Sequence, residues 1–209
     1  MVNAESLATF ILASTLLSLA PGPDNIFVLT QSALYDRKSG IIITLGLCTG
    51  LIVHTSAVAL GVAAIFMVST VAFTILKLVG AAYLLYLAWQ ALKASARPLS
   101  SEGASGLPGH LALYRRGIVM NLTNPKVAIF FLAFLPQFTN PDTGDMTLQL
   151  FLLGIVFILV ALVVFSAIAC LAGLIADLFK QSAKAQILLS RISALVFAGL
   201  AIRLAFVSR

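Results

Sequence analysis

The sequence predicts an all-α membrane protein: six transmembrane helices in a 3+3 inverted repeat, with helices 1 and 4 broken at proline. Three observations carry that prediction. Of 209 residues, 61% are hydrophobic and only 10% charged, with a mean hydropathy of +1.09; a soluble domain carries about 25% charged residues. Six apolar stretches reach the roughly 20 residues that a helix needs to cross the hydrocarbon, at 6–34, 39–67, 70–93, 112–138, 147–178 and 185–207. Two of these stretches hold proline near the middle.

The first stretch contains Leu19-Ala20-Pro21-Gly22-Pro23-Asp24-Asn25. Proline lacks a backbone donor and clashes with the preceding turn, so this span splits into two half-helices. Its N-terminus carries Glu5 and no Lys or Arg, and a cut after Ala20 would put Pro21 beside the scissile bond. Both features argue for a folded span rather than a cleaved signal peptide. In the second stretch, Gly46, Gly50, His54, Ala57 and Gly61 recur every three or four residues. Such a small-residue stripe packs against neighbouring helices and turns His54 toward protein. Gly46-x-x-x-Gly50 serves either a homodimer or internal packing. The third stretch places Tyr83, Tyr86 and Gln90 on one face, lining a polar path or anchoring the helix at the interface.

Residues 94–111, with Gly103, Gly106, Pro108 and Gly109, read as a linker between a first repeat at 1–93 and a second at 112–209. The fourth stretch contains Asn121-Leu122-Thr123-Asn124-Pro125-Lys126. The fifth and sixth are long apolar runs; five spans with one interfacial segment is the alternative count. Lys and Arg fall after spans 1, 3 and 5: Arg37 and Lys38, then Lys93, Arg97, Arg115 and Arg116, then Lys180, Lys184 and Arg191. Basic loops stay cytoplasmic, so the linker is expected inside and both termini outside. The net charge of +6 is therefore assigned to anionic headgroups, not to nucleic acid.

Three helices per half is an odd number, so two similar halves insert in opposite senses. Aligning Pro23 with Pro125 pairs Gly22 with Asn124 and Asp24 with Lys126. Broken helices at matching positions of two halves point to a transporter's binding site. Gly22 and Asn124 suit the N-cap and the prolines suit the first helical position. The second half-helices then aim their free N–H groups and positive dipole ends at the membrane centre, where a carboxylate can dock. Asp24 and Asn25 lie in one first turn and Lys126 in the other, supplying ends for both charges of a zwitterion.

Ionisable groups at that depth cost a few kcal/mol or more and are functional by default. Asp24 and Lys126 either lock the halves together or bind substrate and proton. His54 is either a proton relay, for which its titration range suits it, or a hydrogen-bonded packing residue. Enzyme signatures are missing: the sequence has no Gly-x-x-x-x-Gly-Lys-Ser/Thr loop, His-Glu-x-x-His or Gly-x-Ser-x-Gly. Gly46-Leu47-Cys48-Thr49-Gly50 looks like a nucleophile elbow, but it lies mid-helix with no strand before it. Cys48 and Cys170 have no redox or metal spacing, so neither a cofactor nor a bound metal is expected.

Pro21-Gly22-Pro23-Asp24-Asn25 resembles the Pro-Gly-Pro signature of the LysE/RhtB family of amino-acid exporters. Asn121-Leu122-Thr123-Asn124-Pro125-Lys126, followed by Phe134-Leu135-Pro136-Gln137-Phe138, is similar to that family's second signature. The likeness covers essentially the whole chain. It implies proton-driven export, across the bacterial inner membrane, of amino acids such as threonine, homoserine, its lactone or leucine. Gly50-to-His54 and Phe134-to-Phe138 look closer to the threonine and homoserine branch. In that reading the cargo's carboxylate lies near Gly22, Asn25, Asn124 and Lys126, and its ammonium near Asp24. A proton arriving on Asp24 or His54 favours release. The rivals are a membrane thiol–disulfide carrier, which needs reactive cysteines at the breaks, and an ion or metal transporter, which needs several oxygen ligands.

Overall fold

Pro23, the residue that blocks one helix, begins the next. The computed structural model describes residues 4–62, 70–93 and 109–206. Helix α1 runs Ala4–Leu19 and α2 runs Pro23–Leu34. Helix α3 spans Arg37–Ala57 and ends in a π-helical turn at Val58–Val62, and α4 spans Thr70–Lys93. Helix α5 covers His110–Thr123 and α6 covers Pro125–Ile129. A π-helical turn at Phe130–Phe134 and a 3-10 turn at Leu135–Phe138 extend α6. Helices α7 (Met146–Cys170), α8 (Ala172–Gln181) and α9 (Ala183–Phe206) complete the chain.

Arg37–Gly61, Thr74–Lys93, Met146–Cys170 and Gln186–Phe206 are each long and apolar enough to cross a membrane. Two bent pairs bring the number to six if each counts as one span: α1 with α2 at 59°, and α5 with Pro125–Phe138 at 51°. Large apolar side chains such as Leu12, Leu60, Val163, Leu195 and Phe206 are exposed, while Asp24, Asn25, Asn121, Asn124 and Lys126 are buried. That is the distribution a hydrocarbon solvent imposes on a multi-pass membrane protein.

The packing repeats between halves. Helix α3 lies along α7 and α4 along α9, while α1 packs on α7 and α5 packs on α3. Helix α1 also touches α9, as α4 touches the Phe130–Phe134 turn. Exchanging spans one with four, two with five and three with six returns the same set of pairs.

Several boundaries differ from the sequence reading. The expected fifth span of 147–178 stops at Cys170, and α8 is a separate helix. At about 1.5 Å per residue α7 is already longer than the roughly 30 Å hydrocarbon thickness, so a straight continuation has no apolar medium to enter. Instead α8 turns to bury Ala172 and Ala176 and packs against α2 and α9. Of the second span, 63–67 lie outside the described residues, as do 94–108 of the linker, with Arg97. Residues 110 and 111, assigned to the linker, already belong to α5. Pro136 accounts for the irregular end of the fourth span. It cannot donate to the carbonyl four residues back, and the chain accommodates this with a wider turn followed by a tighter one.

Gly46 and Gly50 of the small-residue stripe are spent inside the molecule, whereas Ala57 and Gly61 are exposed. A Cβ on Gly46 would collide with the Tyr114 carbonyl and approach the Gly117 Cα at 3.1 Å; on Gly50 it would meet Asn121 Cβ at 2.8 Å. The α3–α5 crossing is therefore set by absent side chains. Gly46→Val is expected to lower stability by about 1–3 kcal/mol or more, measured as a reduced melting temperature of the detergent-purified protein. An unchanged melting temperature would mean that the helices can separate there without loss. Tyr86 and Gln90 look outward rather than along a path, with Tyr83 half-buried beside them. Gln90 bonds the Tyr86 hydroxyl, Tyr86 stacks beside the exposed Trp89, and Lys93 Nζ sits 3.9 Å from the Trp89 ring centre. An amphipathic aromatic group of this kind belongs at a membrane–water boundary.

A candidate substrate site at the two helix breaks

Pro21 and Pro23 cannot donate to the carbonyls of Leu17 and Leu19, and the chain turn after Leu19 frees the carbonyls of Ser18 and Ala20 as well. Buried carbonyls must find donors elsewhere. Asn25 Nδ2 donates to Ser18 O at 2.6 Å, and Lys126 Nζ donates to Ala20 O at 3.0 Å and to Leu17 O at 3.4 Å. The lysine of the second break thus fills the backbone defect of the first. Gly22 makes this approach possible, because a Cβ there would lie 2.9 Å from Lys126 Nζ.

The second break mirrors the problem and solves it differently. Pro125 cannot donate to Asn121 O, which accepts instead from Asn124 N at 3.1 Å and from His54 Nε2 at 3.2 Å. A carbonyl only accepts, so His54 Nε2 carries a hydrogen. His54 is half-buried, with its ring 5.8 Å from that of Phe131. The packing role therefore exists in the structure, while Nδ1 keeps a site for a proton.

The two half-helix starts are not alike. Asn124 caps α6 by accepting from Lys126 N at 3.0 Å, which uses that N–H internally. Gly22, the N-cap of α2, offers no side-chain cap. At α6 the first N–H groups are partly taken by the Asn124 cap, while α2 starts without a side-chain cap.

Between the breaks lies a cavity lined by Leu17, Ser18, Asp24, Asn121, Lys126 and Phe157, among others. It brings together Asp24, exposed by only 1%, and Lys126, exposed by 7%. Lys126, Asn124, Asn121 and His54 are the groups whose charges or dipoles act on the Asp24 carboxylate. Among the described residues the two charged groups make no direct ion pair, because the ammonium is held at the α1 carbonyls. The void holds about one water-sized sphere. Among the described residues this cavity is therefore too small for an amino acid as it stands.

Six buried side-chain atoms lack a partner among the described residues: Ser14 Oγ, Ser18 Oγ, Asp24 Oδ1, Asn25 Oδ1, Asn121 Oδ1 and Asn124 Nδ2. Three of these residues, Ser18, Asp24 and Asn121, line the cavity. Ser14, Ser18 and Asn121 were not among the candidates from sequence. Their signal was available: Ser14 and Ser18 are one turn apart on α1 just before the break, and Asn121 is four residues before Pro125. Cys48 and Cys170 are both free, with Cys48 Sγ 4.0 Å from the Ile158 carbonyl; neither lines the cavity.

Residues 15–208 match the family described as LysE type translocator. A homoserine/homoserine lactone efflux protein of Salmonella typhimurium is 37% identical over 171 residues, covering 82% of each chain. The protein of the same name from Salmonella typhi has the same identity and coverage. A protein of Vibrio cholerae described as an uncharacterized membrane protein is 34% identical over 164 residues, covering 78% of this chain and 79% of its own. No solved structure matches.

Proposed function

The chain belongs to the LysE type translocator family, and from that premise we propose that it exports small polar amino acids, homoserine or threonine foremost, from the bacterial cytoplasm in exchange for protons. One observation carries the reading: a carboxylate, an ammonium and the Asn121 amide line a buried cavity between two broken helices, with Asn25 and Asn124 buried at the same breaks. A zwitterion matches that set, since each of its charges finds an opposite one, and its hydroxyl finds an amide. The open start of α2 favours the cargo's carboxylate, with Lys126 beside it, and Asp24 takes the ammonium. Protonation of Asp24, or of His54 at Nδ1, weakens the hold on the ammonium and favours release.

In this scheme Arg37, Lys38, Arg115 and Arg116 face the cytoplasm and both termini face the periplasm. The two repeats, 1–93 and 112–209, rock against each other around the breaks, opening the cavity first to one side and then to the other. The Gly46–Gly50 stripe is consumed by α5, so a homodimer would have to pair through another face.

Right-side-out membrane vesicles preloaded with homoserine provide the test. Vesicles containing the protein are expected to lose homoserine faster than vesicles without it, and faster still when the outside is acidified. A protonophore should abolish that acceleration. Equal efflux from both vesicle types, for homoserine and threonine alike, would reject the cargo; efflux indifferent to pH and protonophore would reject the coupling.

A further inference from the structure

We propose that the carbonyls of Leu17 and Ala20, together with Asp24, form the subsite for the cargo's ammonium, and that Lys126 occupies it in the empty carrier until cargo displaces it. The inference rests on the transport reading above and assigns its atoms. The C-terminal end of α1 presents carbonyls left without helical donors by Pro21 and by the turn that follows, and the negative end of a half-helix favours a cation. A cation is there: Lys126 Nζ donates to Ala20 O at 3.0 Å and Leu17 O at 3.4 Å. Asp24 Oδ1, buried and without a hydrogen-bond partner, lies in the same cavity. A side-chain ammonium and an α-ammonium have the same three donors.

The exchange leaves little unsatisfied at either step. When cargo enters, its ammonium replaces that of Lys126 at the two carbonyls, and the freed Lys126 turns to the cargo's carboxylate. Each carbonyl keeps a donor and each charge keeps a counter-charge. A simple amine can take the carbonyls only by leaving the Lys126 ammonium buried without an anion, which is strongly unfavourable. An uncharged or purely anionic solute cannot replace a cation at all. Lys126 is thereby the residue that makes the carrier demand a zwitterion, and it also fills the site for the return of the empty carrier.

The test is ligand binding to the full-length protein in detergent, read by thermal shift, with homoserine and propylammonium as probes. Wild-type protein is expected to be stabilised by homoserine and not by propylammonium. In Lys126→Met the ammonium subsite is vacant, and propylammonium should bind at least tenfold more tightly than to wild type, while homoserine binding weakens at least tenfold. Lys126→Arg keeps a cation on the carbonyls and should continue to exclude propylammonium. If Lys126→Met yields no monodisperse protein, Lys126→Gln replaces it: its neutral amide can donate to one of the carbonyls, yet its displacement strands no charge, so it should also admit propylammonium. Propylammonium affinity no higher than wild type in the variant that folds overturns the inference. Homoserine that neither binds to nor leaves through wild type, with propylammonium gained in the variant, keeps the cation subsite and rejects the cargo.

Discussion

Homoserine efflux from vesicles carrying Asp24→Asn is expected to fall roughly 10–100-fold below wild type at subsaturating cargo. A hydrogen bond to a charged partner is worth about 1.5–3 kcal/mol, and each 1.4 kcal/mol is about tenfold in affinity. Asparagine is nearly isosteric with aspartate, so the packing around the 1%-exposed side chain is preserved while its charge disappears. The loss has a second component. Without the carboxylate, Lys126 becomes the lone ion of the cavity, held only by two carbonyls. Asp24→Glu keeps the charge but adds a methylene to a void with room for about one water, so an intermediate rate is expected. Protein amounts must be matched by immunoblot. A rate within twofold of wild type for Asp24→Asn would remove Asp24 from both the cargo and the proton roles.

The double variant Pro21→Ala/Pro23→Ala is expected to lose export altogether while remaining folded. Each proline costs a helix interior about 3 kcal/mol relative to alanine. With both replaced, residue 21 can donate to Leu17 O and Asp24 N can donate to Ala20 O, continuing α1 into α2. Lys126 then loses both of its acceptors to ordinary helical bonds, and the 59° bend that aims α2 at the cavity relaxes. The variant should show undiminished helical circular dichroism and elute as a monodisperse species, with efflux at the level of protein-free vesicles. Retained efflux would mean that the break is dispensable and that cargo crosses elsewhere.

Much of this architecture is legible in the chain because proline and apolar length act locally. Pro23 and Pro125 begin half-helices at the first helical position, with Gly22 and Asn124 as their N-caps, since those preferences depend only on the residue and its immediate neighbours. The fifth span was harder to bound. Its hydropathy runs on past Cys170, and the turn at Leu171 is decided by where α8 can bury Ala172 and Ala176. The outer face of Tyr86 and Gln90 was equally illegible, because helical spacing places residues on one side without saying whether that side meets lipid or protein.

Residue order alone is enough to make the chain a bundle of membrane helices, to place the breaks in two of them, and to carry particular charged groups into the apolar zone. Those follow from what a hydrocarbon solvent and a missing N–H forbid, whatever the partners. How the breaks complement each other emerges from helix packing: Lys126 of the second reaches the carbonyls of the first, and His54 of α3 holds the carbonyl orphaned by Pro125. A freed backbone group states that a donor is needed, but which donor arrives depends on residues about a hundred positions away in the chain, brought close by helix packing that local preferences do not encode.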